Sequence, residues 1–394
     1  MEKQEKTINN SKVKKVAILT NGGDAPGLNA VIRAILKSAK VHGIEVYGYI
    51  DGYKGFLENN YVKLDLSTNG SGLLTRGGTV IGTSNSTNLF NLKKQKKDGS
   101  YEYVDMSDFC IKQFKEQGFD CLFTLGGDGT QKSARDFAVK GLNIIGIPKT
   151  IDNDVALTDK TFGYDTAVAV ATDALERLHS TAESHKRIMV LEVMGRHAGW
   201  IALASGIAGG ADAILIPEIP FDIKRVADKV NNRKAFGKEY SIICVAEGAY
   251  PKSGEQVVKG KVENKGLDDK KLGGIGERVA NELEELTGLV SRNTVLGYVQ
   301  RGGTPTASDR LLSSSYGVTA LDLAMKGIFK VLVTYTNGKM GYVSLEDVVG
   351  DNKEIGAPSK NNKVSNLKKV KLDDELVKTA YNLDIEMGAE LKFK

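Results

Sequence analysis

Residues 121–130 read CLFTLGGDGT. An apolar run (Cys121, Leu122, Phe123, Leu125) stops at Gly126-Gly127-Asp128-Gly129-Thr130, and the following QKSARDFAVK can form a helix. A strand that enters a glycine turn and then a helix N-terminus is a place to hold phosphate. Glycine lets the backbone approach the anion, and the unpaired N–H groups of the first helical turn point at it. Asp128 adds a carboxylate suited to the Mg²⁺ that such phosphates carry. The same residues would also make a tight strand-to-helix turn with no ligand, so this stretch alone leaves both readings open.

Residues 144–154, IIGIPKTIDND, repeat the pattern one βα step later. An apolar strand runs into a loop with two carboxylates, Asp152 and Asp154. Their i, i+2 spacing in an extended loop lets one face a reacting hydroxyl and the other a metal. In a parallel sheet, successive βα loops emerge at the same edge, where α/β ligand sites form. The alternative is a pair of solvated loop aspartates.

Composition narrows the class. A chain of 394 residues is long enough for two domains. Its 44 glycines exceed the ordinary share of about 7%, and pairs at 22–23, 77–78, 126–127, 209–210, 273–274 and 302–303 mark turns and ligand loops. The net charge of +5 is spread along the chain. It suits anionic small substrates and is too diffuse for nucleic acid. The run Lys93, Lys94, Lys96, Lys97 reads as a solvated loop. Three cysteines without CxxC spacing and four scattered histidines argue against structural zinc. There is no apolar leader and no run of about 18 apolar residues, so a cytoplasmic protein without membrane contact is expected.

Short apolar strands alternate with helical stretches. Strands are predicted at Val16–Leu19, Glu45–Ile50, Cys121–Leu125, Asn143–Ile147, Ile188–Val193, Ala213–Ile216, Ile242–Ala246 and Val295–Val299. Helices are predicted at about 27–41, 131–140, 164–182, 197–208, 222–235, 275–287 and 308–326, with a last amphipathic one at 373–388. The fold class is therefore α/β, with mainly parallel sheets covered on both faces. Residues 1–12 read as a polar tail. Residues 91–108 and 251–272 read as surface excursions, and 350–369 as loop.

GGDAPGLNAVIR (22–33), GGDGT (126–130), PKTIDND (148–154), MGRHAGW (194–200), AEG (246–248) and GYVQRGGTPTASDR (297–310) together resemble the phosphofructokinase family, in its motif order, from about residue 13 to about 320. The resemblance implies two similar three-layer domains facing a central cleft. The donor-nucleotide domain would comprise 13–163 plus about 300–350. The sugar-phosphate domain would comprise 164–299 plus about 351–394. It also implies transfer of the γ-phosphoryl group of ATP-Mg to the 1-hydroxyl of fructose 6-phosphate.

Roles follow position by position from that resemblance. Gly23, Gly127, Asp128, Gly129 and Thr130 would cradle the donor, with Asn85 and Lys149 beside it. Asp128 would hold Mg²⁺, and Asp154 would assist through water. Asp152 matches the catalytic base, Thr150 would fix the 1-hydroxyl and a donor oxygen, and Arg196 would stabilise the moving phosphoryl group. Glu247, Met194 and Gly195 would line the sugar pocket. Arg187, Arg292 and Arg301 resemble the clamp on the sugar 6-phosphate, aided by Tyr298. In the family, the first two arginines come from a neighbouring subunit. A homo-oligomer with shared sites is thus implied, a dimer at least and commonly a tetramer.

The chain departs from the short bacterial members of that family at several positions. Tyr298 replaces a histidine, and Asn85 an arginine beside the donor, a loss that Lys149 could offset. Arg33, Lys37, Asp212 and Lys238 keep charges expected at the family's effector site, whereas Asn60 replaces an arginine there. Lys149 matches pyrophosphate-dependent members, while Gly129 stands where those carry aspartate. Gly129 leaves room for a nucleotide, so ATP is favoured over pyrophosphate. A silent sugar-phosphate-binding regulatory paralogue is the alternative of another class. It should have lost Asp152, Arg196 or Glu247, and all three are present.

Overall fold

The glycine-ended runs at 16–19 and 121–125 fold as adjacent parallel strands, Lys15–Thr20 and Cys121–Gly126, with Thr20 opposite Leu125. The structure, a computed structural model, describes residues 12–66, 72–85, 87–96, 98–254, 256–261, 270–350 and 366–393. The expectations for the tail at 1–12 and for 350–369 fall largely on 1–11 and 351–365, and that for 251–272 falls in part on 255 and 262–269. Those residues, and Lys97, lie outside the described ones.

The chain forms two compact units. The first draws on Met1–Thr150, Val155–Phe162 and Gly303–Asn366, and the second on Ile151–Asp154, Gly163–Gly302 and Leu367–Lys394.

The first unit is built on a seven-stranded sheet in the order Lys339–Ser344, Val331–Thr336, Ile144–Pro148, Cys121–Gly126, Lys15–Thr20, Glu45–Tyr49, Tyr61–Lys63. Its inner strands are parallel and both outermost pairs antiparallel. The three central strands, Lys15–Thr20, Cys121–Gly126 and Ile144–Pro148, are almost wholly buried, because apolar layers cover both faces. Helices Leu28–His42 and Ala307–Met325 pack against each other in one layer, whose core includes Val31, Ile35, Tyr316 and Ala320.

The second unit is built on a four-stranded, all-parallel sheet in the order Ser291–Val295, Ile188–Val193, Ser241–Ala246, Ala213–Leu215. The end of the chain extends it. Glu386 bridges Ala213 in parallel, and the Arg225 guanidinium meets the Glu386 carboxylate at 3.1 and 3.3 Å.

Two predicted elements are corrected, and the surface excursion at 91–108 has regular structure within it. The strand expected at Val295–Val299 ends at Val295; Gly297, at φ +51°, begins a 3₁₀ turn over Gly297–Arg301. Leaving Tyr298 and Val299 exposed, that turn brings Gln300 fully inside. The last helix runs only over Glu375–Asn382, because Asp384 adopts φ +58° and the chain turns to join the sheet edge. The excursion at 91–108 contains an antiparallel hairpin, Leu92–Gln95 with Tyr101–Val104, and then the first residues of helix Ser107–Glu116.

Candidate active site

In the first unit, three neighbouring parallel strands deliver their loops to one sheet edge. Lys15–Thr20 leads to Gly22-Gly23, Cys121–Gly126 to Gly127–Thr130, and Ile144–Pro148 to Lys149-Thr150. The helix after Gly127 starts at Asp128, three residues earlier than predicted, so Asp128, Gly129 and Thr130 form its first turn. Thr130 and Gln131 both donate backbone N–H groups to the Gly127 carbonyl at 3.0 Å. The Asp128 carboxylate sits where a helix dipole favours negative charge. Gly126 has no room for a side chain, since a Cβ there would lie 2.2 Å from Thr130 Oγ1.

Lys149 ties this edge together. Its ammonium donates to the Gly23 carbonyl, and its backbone N–H donates to Gly126 at 3.0 Å. The side chain is 3% exposed, so it brings a buried positive charge under the first glycine loop. Gly22, at φ +83°, donates its N–H to Ser84, and its carbonyl accepts from Thr83 Oγ1 at 2.7 Å. The exposed Asn85 follows directly on that anchor.

In the second unit several of the predicted site residues also leave the C-terminal edge of the sheet. Met194, Gly195 and Arg196 follow strand Ile188–Val193, and Glu247 follows Ser241–Ala246. The 3₁₀ turn that bears Tyr298 and Arg301 follows Ser291–Val295. Glu247 N–H donates to the Val193 carbonyl at 2.8 Å and Gly248 N–H to Gly195 at 3.1 Å, which locks the two loops side by side. Gly248 is required there, because a Cβ would stand 2.1 Å from the Arg196 carbonyl oxygen. The Gln256 amide donates to that same oxygen at 3.3 Å and to the Gly248 carbonyl at 2.9 Å.

Asp152, on the short segment Ile151–Asp154 of this unit, contributes its charge to the same place. Burial pushes the Glu247 carboxyl from its ordinary 4.5 up to about 7. The negative charge of Asp152, and secondarily that of Glu192, adds to the rise, while Arg196 and Arg301 oppose it. Three carboxylates and two guanidinium groups thus share one electrostatic neighbourhood. The neighbouring Asn153 takes φ +51°, a left-handed backbone that asparagine tolerates.

Arg187 and Arg292 are not part of that group. Arg187 precedes Ile188, and Arg292 pairs with Met189, so both lie at the opposite, N-terminal edge of the sheet. Arg292 is half exposed and 3.6 Å from the Glu284 carboxylate. Asp212 stands at that edge too; its carboxylate meets Arg233 at 2.8 Å and accepts the Ile242 N–H at 2.9 Å.

Sequence reasoning missed three supporting residues. Glu192 is 3% exposed and accepts the N–H groups of Gly274 and Gly276, the latter at 2.8 Å, at the start of helix Ile275–Thr287. A lone carboxylate inside the apolar strand IMVLEV was the available signal. Gln300 is fully buried and accepts the Met194 N–H at 3.2 Å. Gln256 lies in a segment with no pattern that marks it.

Among the described residues, no group of three His, Cys, Asp or Glu side chains gathers for a metal. Mg²⁺ that arrives on phosphates needs only one or two carboxylates. Asp128, in a helical first turn beside a glycine loop and a buried lysine, fits that smaller demand. Also among the described residues, no helix is long and apolar enough to cross a membrane.

Comparison with known proteins identifies the family. The profile of the family described as Phosphofructokinase matches residues 15–324. The chain is 52% identical over 348 residues to ATP-dependent 6-phosphofructokinase 2 of Clostridium perfringens, covering 87% of this chain and 94% of that protein. It is 46% identical over 381 residues to ATP-dependent 6-phosphofructokinase of Chloroflexus aggregans, covering 97% and 99%. Among solved structures, phosphofructokinase from Saccharomyces cerevisiae superposes with a TM-score of 0.70 at 31% identity, over 84% of this chain but only 45% of the yeast chain. The pyrophosphate-dependent phosphofructokinase from Marinobacter aquaeolei shares the fold, with a TM-score of 0.72 at 21% identity over 97% of this chain and 94% of that one. A profile match over most of its length and relatives about half identical to it place this chain in the phosphofructokinase family.

Proposed function

We infer that the protein is an ATP-dependent 6-phosphofructokinase, a phosphotransferase that moves the γ-phosphoryl group of ATP to the 1-hydroxyl of fructose 6-phosphate. The observation that carries this reading is that the charges of Asp152, Arg196 and Arg301 all act on the buried Glu247 carboxyl, which follows strand Ser241–Ala246 beside the Met194–Arg196 loop. A phosphoryl transfer needs a base for the attacking hydroxyl and fixed positive charge for the moving group, and little covalent chemistry from the protein.

The roles divide by unit. In the first, the Gly22-Gly23 and Gly127–Thr130 loops cradle the donor phosphates with backbone N–H groups, and Lys149 adds buried positive charge. Asp128 holds the Mg²⁺ that neutralises those phosphates when bound. In the second, Glu247 accepts hydrogen bonds from sugar hydroxyls, Asp152 takes the proton of the 1-hydroxyl, and Arg196 stabilises charge on the group in flight. Arg301 meets the sugar 6-phosphate. The chain passes from one unit to the other between Thr150 and Ile151, so donor loop and base are near-neighbours in sequence.

Arg187 and Arg292 complete the 6-phosphate clamp from a second subunit. Their place at the far edge of the sheet supports this, since the same chain's Glu247 is out of their reach. The active protein is on this reading a homo-oligomer.

Lys149 favours a second donor, pyrophosphate. The test offers fructose 6-phosphate with ATP-Mg or with pyrophosphate-Mg and measures fructose 1,6-bisphosphate. ATP as the better substrate by kcat/KM supports the reading, and product only from pyrophosphate would replace it.

A further inference from the structure

We propose that the C-terminal residues Lys368–Val370 form a strap that sets the segment bearing Asp152 against the segment bearing Arg196, with Trp200 and Glu218 as its positioning residues. The role rests on the phosphotransferase reading above and assigns a function to the far end of the chain, outside the family match at 15–324.

The strap touches both catalytic segments through polar contacts. Lys368 donates its backbone N–H to the Asp154 carbonyl at 2.9 Å, two residues after Asp152. The Lys368 carbonyl accepts the indole N–H of Trp200 at 2.8 Å, and the Lys368 ammonium lies 5.6 Å from the centre of that ring. One residue of the strap therefore joins the two segments directly. Two residues on, Val370 donates its N–H to Glu218 at 2.9 Å, and Glu218 also accepts the N–H of Gly199 at 3.1 Å. Gly199 and Trp200 end the stretch MGRHAGW, which also contains Arg196.

These contacts are partly sheltered from water. Trp200 and Asp154 are each 9% exposed and Val370 is 5% exposed. Buried hydrogen-bonding groups that lose their partners cannot simply turn to solvent, so each contact is costly to break. Gly199 has no slack either, as a Cβ there would lie 2.3 Å from Ile216 Cβ. Burial raises the Glu218 carboxyl above its ordinary range, and the N–H groups of Val370 and Gly199 oppose that rise. The groups so tied are the proton acceptor and the charge-stabilising arginine. Misplacing either by about 1 Å can cost on the order of 10²-fold in rate.

Neither Trp200 nor Glu218 acts on substrate, so the signature is a split in kinetics. Trp200→Phe keeps a ring and removes the donor to Lys368. Glu218→Gln keeps the shape and replaces one acceptor oxygen with an amide. Each should lower kcat with ATP by about tenfold or more, with KM for fructose 6-phosphate within about threefold and the thermal midpoint well above assay temperature. Trp200 is the chain's one tryptophan, so its emission reads the strap without any turnover. In Glu218→Gln that emission should move to longer wavelength and become more open to acrylamide quenching.

Three results would overturn the proposal. One is wild-type kcat in a folded Trp200→Phe protein. Another is a kcat loss that merely follows the loss of thermal stability. The third is unchanged Trp200 emission in Glu218→Gln. Should Glu218→Gln not fold, Trp200→Phe still decides. A wild-type protein that makes no fructose 1,6-bisphosphate from either donor would instead overturn the functional reading, and this role with it.

Discussion

Arg187 and Glu247 stand at opposite ends of the same parallel sheet. Arg187 precedes strand Ile188–Val193, and Glu247 hydrogen-bonds to the last residue of that strand. Six residues of strand at about 3.3 Å each separate the two by on the order of 20 Å. Arg187 and Glu247 of one chain therefore cannot hold one sugar phosphate. Arg187→Ala or Arg292→Ala should raise the KM for fructose 6-phosphate strongly and leave the ATP KM nearly unchanged. Under conditions of subunit exchange, mixing Arg187→Ala with Asp152→Asn protein should restore activity, since some sites would then contain neither lesion. Absence of recovery despite exchange proven by mass spectrometry would mean that each site is built from one chain.

Glu247 makes a pH prediction whose sign runs against the usual carboxylate case. Its folded value of about 7 lies above its ordinary 4.5, so the folded protein binds more protons than the unfolded chain between those limits. Stability from this group is thus highest below pH 4.5, falls as pH rises, and is fully lost above about 7. Glu247→Gln should raise the thermal midpoint at pH 8 and change it little at pH 4.5. The gain is on the order of 1–3 kcal/mol, at about 1.4 kcal/mol per pKa unit. On the proposal that the ionised form accepts hydrogen bonds from sugar hydroxyls, wild-type kcat/KM should fall as pH drops below 7, and the variant should lose that dependence. A flat wild-type profile between pH 6 and 8 would remove Glu247 from the sugar site.

Asp152 is argued to take the proton of the attacking hydroxyl. Asp152→Asn keeps shape and hydrogen-bonding reach but cannot act as a carboxylate base. A loss in kcat of roughly 10²–10⁴ is expected, with KM for either substrate changed far less. The substitution also removes a negative charge next to Glu247, so the pH at which kcat/KM for fructose 6-phosphate half-falls should move downward. Near-normal kcat would take Asp152 out of the role of base.

Much of this was readable in the sequence, because the buried parallel strands are apolar runs that end in glycine or charge. Cys121–Gly126 and Ile188–Val193 are of that kind, and the loops after them bear residues proposed for the chemistry. Local pattern misled where tertiary contacts decide. The apolar look of Val295–Val299 hid a turn, since Gln300 is drawn inside to meet Met194 N–H. The hairpin Val331–Thr336 with Lys339–Ser344 went unread because its second strand is only partly buried. Lys368, Glu218 and Trp200 had no signature at all, because backbone groups about 150–170 residues distant in sequence make their bonds. The charge clamp on Asp212 was equally silent, since Arg233 approaches it from another helix.

Gly129 and Lys149 point to different donors, and the structure makes that contest testable. Lys149 is anchored to the Gly23 carbonyl and buried, so its charge is fixed in place whichever donor binds. Gly129 is the second residue of helix Asp128–Val139 and is not among the glycines with positive φ. An aspartate can therefore occupy that backbone without strain, and acidic residues suit a first helical turn. Gly129→Asp should fold normally and act through the ligand alone. Its carboxylate would meet the donor at the α-phosphate, where lost volume and like charge act together, so ATP kcat/KM should drop by at least ~10²-fold. With Lys149 already present, the same variant should keep or gain activity with pyrophosphate, whose two phosphates need less room. Steady-state kinetics with both donors on wild type and variant decide it. Unchanged ATP kinetics in Gly129→Asp would move the donor away from this helix N-terminus, and a wild type that prefers pyrophosphate would make Lys149 the better guide.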